Sequence, residues 1–81
     1  MNLVELTEFL VKSIASEPEM ISVKQFEDDE EKVTIQVLVD EKDMGAVIGK
    51  KGSIANAIRT IVQASSYVND KKSVRINIDS F

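Results

Sequence analysis

The chain has 81 residues, 43% of them hydrophobic and 30% charged, which is enough for one folded domain with a single modest core. It contains no cysteine and no histidine, which excludes disulfides, thiolate metal sites and imidazole-dependent catalysis, so we expect neither an enzyme nor a cofactor. The formal net charge is −4, yet residues 42–81 carry seven Lys or Arg against three Asp, which favours a local anion site in that half.

The chain opens with a segment that predicts an amphipathic helix. Residues 2–16 repeat leucine and isoleucine at helical spacing, Asn2 and Glu5 are placed as a capping box, and Pro18 should end the helical region. The segment lacks the basic start and cleavage site of a signal peptide. No apolar run in the chain approaches the roughly 20 residues of a membrane span. We therefore expect a cytoplasmic protein with no membrane partner.

The next two segments predict a β-hairpin. Residues 20–26 and 32–39 are rich in β-branched side chains, and the second segment alternates apolar and polar residues cleanly. The acidic stretch at residues 27–31 is a polar connection between them. An antiparallel pair of strands is the simplest reading of this pattern.

The second half predicts two helices and a final strand. Residues 40–48 form a short helix with Asp40 as its cap, residues 53–68 form a longer one, and residues 69–72 turn the chain. Residues 73–79 then alternate as a strand. The order α-β-β-α-α-β predicts an α+β fold, a three-stranded sheet with helices on one face, in one domain that covers the whole chain.

A glycine-bracketed corner joins the two predicted helices. Gly49 and Gly52 can adopt the backbone angles that a tight turn requires, and Lys50 and Lys51 lie between them. The first amides of the following helix lack partners within the helix and favour an anion, so a phosphate is the natural ligand. The alternative is a plain corner whose lysines only interact with solvent.

The sequence VIGKKG between two helices, within the order α-β-β-α-α-β, resembles the type II KH domain. The whole chain resembles the KhpA family of small bacterial KH proteins, through VIGKKGSIANAIRTIV followed by VRINID. This resemblance implies binding of single-stranded RNA, with the glycine corner on the phosphates and an apolar groove for the bases. The residues it implies for RNA contact are Gly49, Lys50, Lys51 and Gly52 at the phosphates, with Val47 and Ile48 in the groove.

Several positions qualify this expectation. Ser53 follows the corner and is included as a candidate contact, although family members often carry a basic residue there. Fewer cations mean fewer phosphate contacts, so we expect weak binding, about micromolar or poorer, with little selectivity, as in an RNA chaperone or post-transcriptional regulator. Arg59 in the second helix and Arg75 in the last strand are further candidates. Arg59 could equally be a solvent-facing helix residue, whereas Arg75, opposite the face of Val74, Ile76 and Ile78, is more often an ordinary surface residue of a strand.

The longer helix also predicts a protein interface. Beside one apolar stripe, a second stripe runs along the helix at Ile54, Ala57, Ile61 and Ala64. It is either part of the core or an exposed surface for self-association. The KhpA resemblance implies a homodimer and pairing with a larger KH-containing protein. The alternative function is therefore an interaction adaptor that uses the KH fold mainly for homo- and heterodimerisation.

Overall fold

The computed structural model of the protein describes residues 2–69 and 71–81, and it confirms the predicted α+β order of elements. Three helices accompany a three-stranded mixed sheet, and two 3-10 turns flank the short middle helix. The elements in chain order are α1 (Leu3–Lys12), β1 (Ile21–Glu27), β2 (Lys32–Val39), a first 3-10 turn (Glu41–Asp43), α2 (Met44–Ile48), a second 3-10 turn (Lys50–Gly52), α3 (Ser53–Asn69) and β3 (Ser73–Ser80).

The sheet has β2 at its centre, antiparallel to β1 and parallel to β3. The antiparallel pair is the predicted hairpin, and the parallel pair arises because the chain crosses over through α2 and α3 before it returns. Alternate residues of β2 point beneath the helices, where they are at most 1% exposed. The buried core comprises Val33, Ile35, Val37 and Val39 of β2 with Leu3, Val11, Val47, Ile58, Val62 and Val74. Among the residues that the structure describes, no helix covers the opposite face of the sheet.

Helix α1 begins as predicted and ends earlier than predicted. The Asn2 side chain accepts from the Glu5 N–H at 2.8 Å, and the Glu5 carboxylate accepts from the Asn2 N–H at 3.2 Å, so the capping box is present. The helix ends at Lys12, well before Pro18. Ser13 is its C-cap, and the next N–H, that of Ile14, donates to the Val11 carbonyl three residues back, which tightens the last turn.

The connection from β2 to α2 is tighter than the predicted single helix. Asp40 is the cap, as expected, and its side chain accepts from the Lys42 N–H at 3.0 Å. It caps a 3-10 turn, however, and α2 itself spans only five residues. The predicted turn at residues 69–72 includes Asp70, which lies outside the described residues. Within the described ranges, no helix has the length and apolar character to cross a membrane.

Candidate nucleic-acid interface

A buried carboxylate anchors the N-terminal end of α2. Asp43 is 3% exposed, and its Oδ1 accepts from the N–H of Ser16 at 2.9 Å and from the Ser16 hydroxyl at 2.6 Å. Its Oδ2 accepts from the Glu17 N–H at 3.0 Å. These hydrogen bonds, the Ser16 hydroxyl first, hold the pKa of the Asp43 carboxyl below its ordinary value. The α1–β1 connection is thereby fixed to the helix that precedes the glycine corner.

An exposed ion pair reinforces the same junction. Lys42 Nζ lies 2.8 Å from the Glu17 carboxylate, and this hydrogen bond raises the pKa of Lys42 above its ordinary value. Both side chains are about half exposed, so the pair adds little stability by itself. Its consequence is geometric, because it ties Lys42, the residue before Asp43, to the same segment that Asp43 binds.

The glycine corner is a compact, internally bonded turn. Gly49 has φ 77° and ψ 174°, and both Lys51 and Gly52 have positive φ, at 57° and 77°. The Gly49 N–H donates to the Gly45 carbonyl at 2.9 Å, and the Gly52 N–H donates to the Gly49 carbonyl at 3.2 Å. The backbone conformation is therefore set by local hydrogen bonds, and it turns the chain from α2 into α3.

Gly49 is required here by space as well as by conformation. A Cβ built on it would contact the Ile54 Cγ1 and lie 2.8 Å from both the Cβ and the backbone N of Ile54. A Cβ on Gly52 would meet only the Asn56 side chain, at 4.0 Å. The two glycines therefore differ: the first lets the turn close onto α3, and the second has open space around it.

The side chains around the corner divide into exposed cations and a buried support. Lys50 and Lys51 are exposed, and neither forms a salt bridge among the residues that the structure describes. Ser53, at the start of α3, is also exposed, and Ile48 is half-buried. Val47 is fully buried in the core, so it supports Ile48 from below and presents no surface to a ligand.

Arg59 lies on the flank of α3 that faces β3. Arg59, Gln63 and Ser66 follow at intervals of four and three residues and thus share one side of the helix. On that side, Gln63 Nε2 donates to the Lys72 carbonyl at 2.9 Å, and Gln63 Oε1 accepts from the Val74 N–H at 2.8 Å. Since α2 also contacts β3, Arg59 lies on the side of α3 that borders this junction.

Arg75 is separated from the corner by the sheet. It is exposed, and it pairs with Thr34 in the register of β3 with β2. Its neighbours Val74 and Ile76 turn toward the helices, so Arg75 points to the open face. The structure thus brings Lys50, Lys51 and Ser53 together but leaves Arg75 on the other side of the domain.

The predicted second stripe of α3 is mostly exposed. Ala57, Ile61 and Ala64 are exposed, with Ile61 at 46%, whereas Ile54 is half-buried against the core beneath the corner. Val68 continues the stripe one turn further and is 81% exposed. Sequence analysis left out Val68, although its position four residues after Ala64 would have placed it there.

Asp43 is the other residue that sequence analysis did not single out. Its acidic neighbours looked solvated, and only the fold shows that its partners lie 26 and 27 residues away. Within the described ranges, no group of three or more acidic side chains is arranged to hold a metal ion.

Comparison with known proteins places this geometry in a family. Residues 4–78 match the KhpA/KhpB KH-domain family. The chain is 43% identical over 70 residues to a Clostridium perfringens protein named RNA-binding protein KhpA, covering 86% of this chain and 92% of that one. It is 43% identical over 74 residues to a Listeria monocytogenes protein of the same name, covering 91% and 95%.

A solved structure shares the fold at low sequence identity. A crystal structure of Aquifex aeolicus Era, bound to GDP and AlF4−, superposes with a TM-score of 0.77 at 19% identity. The match covers 98% of this chain but only 30% of the Era chain. The similarity therefore concerns the fold of one part of Era, and the whole described domain has its counterpart there.

Proposed function

The chain belongs to the KhpA/KhpB family of KH domains, and we propose that it binds single-stranded RNA through the glycine corner at residues 49–52. The observation that carries this proposal is the pair of exposed lysines on a turn whose backbone is set by two glycines. Relatives that cover most of the chain are named RNA-binding proteins. Binding is by phosphate contact at the corner, with the half-buried Ile48 beside it for the bases.

The corner suits a phosphate backbone for two reasons. The Ser53 N–H donates to the Lys50 carbonyl, whereas the next N–H groups of α3 have no partner within the helix, and the helix dipole favours negative charge at that end. Lys50 and Lys51 add two cations at the same end. Ser53 can donate a hydrogen bond to the same phosphates, and Arg59 lies about two turns further along α3. Arg75 lies on the open face of the sheet, away from the helices that form the corner.

The expected binding is weak and shows little base selectivity. The chain has few cations near the corner and a net charge of −4, and affinity for nucleic acid depends steeply on the number of phosphate contacts. No aromatic side chain lies beside the corner in the sequence to stack a base there. This combination suits an RNA chaperone or a post-transcriptional regulator, which must release its RNA readily.

The test is fluorescence anisotropy of a labelled single-stranded RNA with wild type and the Lys50→Asp/Lys51→Asp variant. Aspartate tolerates the positive φ of Lys51, so the fold should survive, and circular dichroism checks it. The matched control, Lys12→Asp/Lys71→Asp, makes the same change in net charge elsewhere. We expect the corner variant to lose binding and the control to keep most of it. Equal losses in both variants would mean that overall charge, and not the corner, governs binding.

A homodimer through α3 is the second proposal, and the exposed apolar stripe favours it. Ala57, Ile61, Ala64 and Val68 present an apolar surface over three turns of the helix. The same surface could pair with a larger KH-containing protein, which is the adaptor function. Sedimentation equilibrium of Ile61→Asp tests it, with the exposed Thr60→Asp, at the preceding residue and outside the stripe, as the control. We expect only Ile61→Asp to shift the protein to monomer, and a wild-type monomer at all concentrations would contradict the proposal.

A further inference from the structure

The open face of the sheet carries an ordered set of aromatic and basic side chains. Phe26 of β1 lies opposite Thr34 of β2, and Thr34 lies opposite Arg75 of β3. Since the residues before and after Thr34 are buried beneath the helices, this row points away from them. Lys24 occupies the next equivalent position of β1, two residues from Phe26.

Phe26 is an unusual residue for a solvent-facing position on a sheet. It is 52% exposed, and the row that contains it is otherwise polar. Its cross-strand neighbour Thr34 donates its hydroxyl to Asp28 at 2.5 Å, so that hydroxyl is already engaged. About half of the Phe26 surface therefore remains available to a partner outside the core.

Three basic side chains surround Phe26 on the open face. Lys24, Lys32 and Arg75 are all exposed, and none of them forms a salt bridge among the described residues. Lys32 and Arg75 line one hollow between β2 and β3, together with Asp28, whose Oδ2 already accepts from Thr34. The hollow therefore offers two cations and one carboxylate, and one oxygen of that carboxylate already accepts a hydrogen bond.

We propose that this open face is a second contact surface for the RNA strand, with a base stacked on Phe26 and phosphates on Lys24, Lys32 and Arg75. The inference rests on the proposed function, because the RNA that reaches the open face is the RNA held at the glycine corner. β3 is an edge strand, and it is the strand that α2 contacts. RNA leaving the corner crosses the β3 edge to arrive at Arg75.

The composition of the face favours nucleic acid over a protein partner. Protein interfaces are centred on contiguous apolar surface, whereas here the row of Lys24 and Gln36 separates Phe26 from the half-buried Leu38, and the exposed Phe81 lies beyond the end of β3. An aromatic ring amid cations is the usual surface for single strands, because every base has a face that stacks. Asp79 lies at the other end of the face, opposite Leu38, and Asp28 beside the Phe26 row already accepts a hydrogen bond from Thr34.

The test compares RNA of two lengths. A strand of about four nucleotides fills the corner alone, and one of about fifteen can reach the sheet as well. The variant is Phe26→Leu/Arg75→Gln, which keeps apolar bulk but removes the ring face and the charge. The control is Phe9→Leu/Lys71→Gln, because Phe9 is 59% exposed on α1 and lies away from the sheet's open face. Circular dichroism and urea unfolding establish that both variants are folded.

We expect the sheet variant to bind the longer RNA on the order of tenfold more weakly. Its affinity for the short RNA, and both affinities of the control, should stay unchanged. An unchanged affinity for the longer RNA, or an equal loss for both lengths, overturns the inference. The corner variant Lys50→Asp/Lys51→Asp tests the proposed function separately. If this variant binds both RNAs as wild type does, the proposed function itself is contradicted, whatever the result for the sheet variant.

Discussion

Replacing Gly49 with alanine should destabilise the domain more than the same change at either of its other glycines. The backbone angles of Gly49, φ 77° and ψ 174°, lie in a region that is essentially restricted to glycine, and strain there costs about 1–3 kcal/mol. The added methyl group would also lie 2.8 Å from the Cβ of Ile54, and overpacking of this kind costs about another 1–3 kcal/mol. The total approaches a large share of the roughly 4–12 kcal/mol expected for a domain of this size.

The other glycines are internal controls. Gly52→Ala meets strain from its φ of 77° but has open space, so about 1–2 kcal/mol is expected. Gly45→Ala adds a methyl with no atom within 4 Å in a helical position, so it should be neutral or stabilising by up to about 1 kcal/mol. Urea unfolding followed by circular dichroism gives all three values. If Gly49→Ala is no less stable than Gly52→Ala, the close packing of the corner on Ile54 is incorrect.

Three further predictions concern hydrogen bonds that hold the elements together. Asp43→Asn should lower the urea midpoint at pH 7. Because the pKa of Asp43 is depressed in the folded state, the difference in urea midpoint between wild type and variant should shrink as the pH falls from about 5 to about 3. A difference that stays constant over this range would contradict the prediction. Asn2→Ala removes the cap of α1 and should cost about 1 kcal/mol in thermal unfolding. Gln63→Ala breaks two bonds to the start of β3 and should cost about 1–3 kcal/mol, while the exposed Gln25→Ala should cost almost nothing.

The elements that could be predicted from the sequence are those whose pattern is local. The alternation of residues 32–39 indicated the central strand, and Asn2 with Glu5 indicated the start of α1. The glycine corner was predictable because positive φ selects glycine at two positions. In each case the physical cause lies within a few residues of the feature, so the chain itself carries the signal.

What could not be predicted depends on contacts between distant segments. The end of α1 is followed by a connection that Asp43 holds from 27 residues away, so Pro18 was a misleading marker. The alternation of Val74, Ile76 and Ile78 placed Arg75 on the opposite face of its strand, but where that face lies relative to the glycine corner depends on how the helices pack on the sheet. Likewise, which side chains of α3 are buried depends on where α1 and the sheet pack against this helix, and the periodicity of α3 alone does not reveal this.

Dimerisation and RNA binding need not compete on α3, because the exposed apolar stripe and the flank that carries Arg59 lie on opposite sides of the helix. Residues two apart on a helix differ by about 200° around its axis. In the exposed stripe, Ala57 is followed two residues later by Arg59, and Ile61 is followed two residues later by Gln63. Gln63 faces β3 through its hydrogen bonds. Only Ile54 belongs to both regions, and it is half-buried under the corner. A dimer formed through the stripe would therefore leave both glycine corners open, and two corners on one particle would bind a long RNA more tightly than either alone.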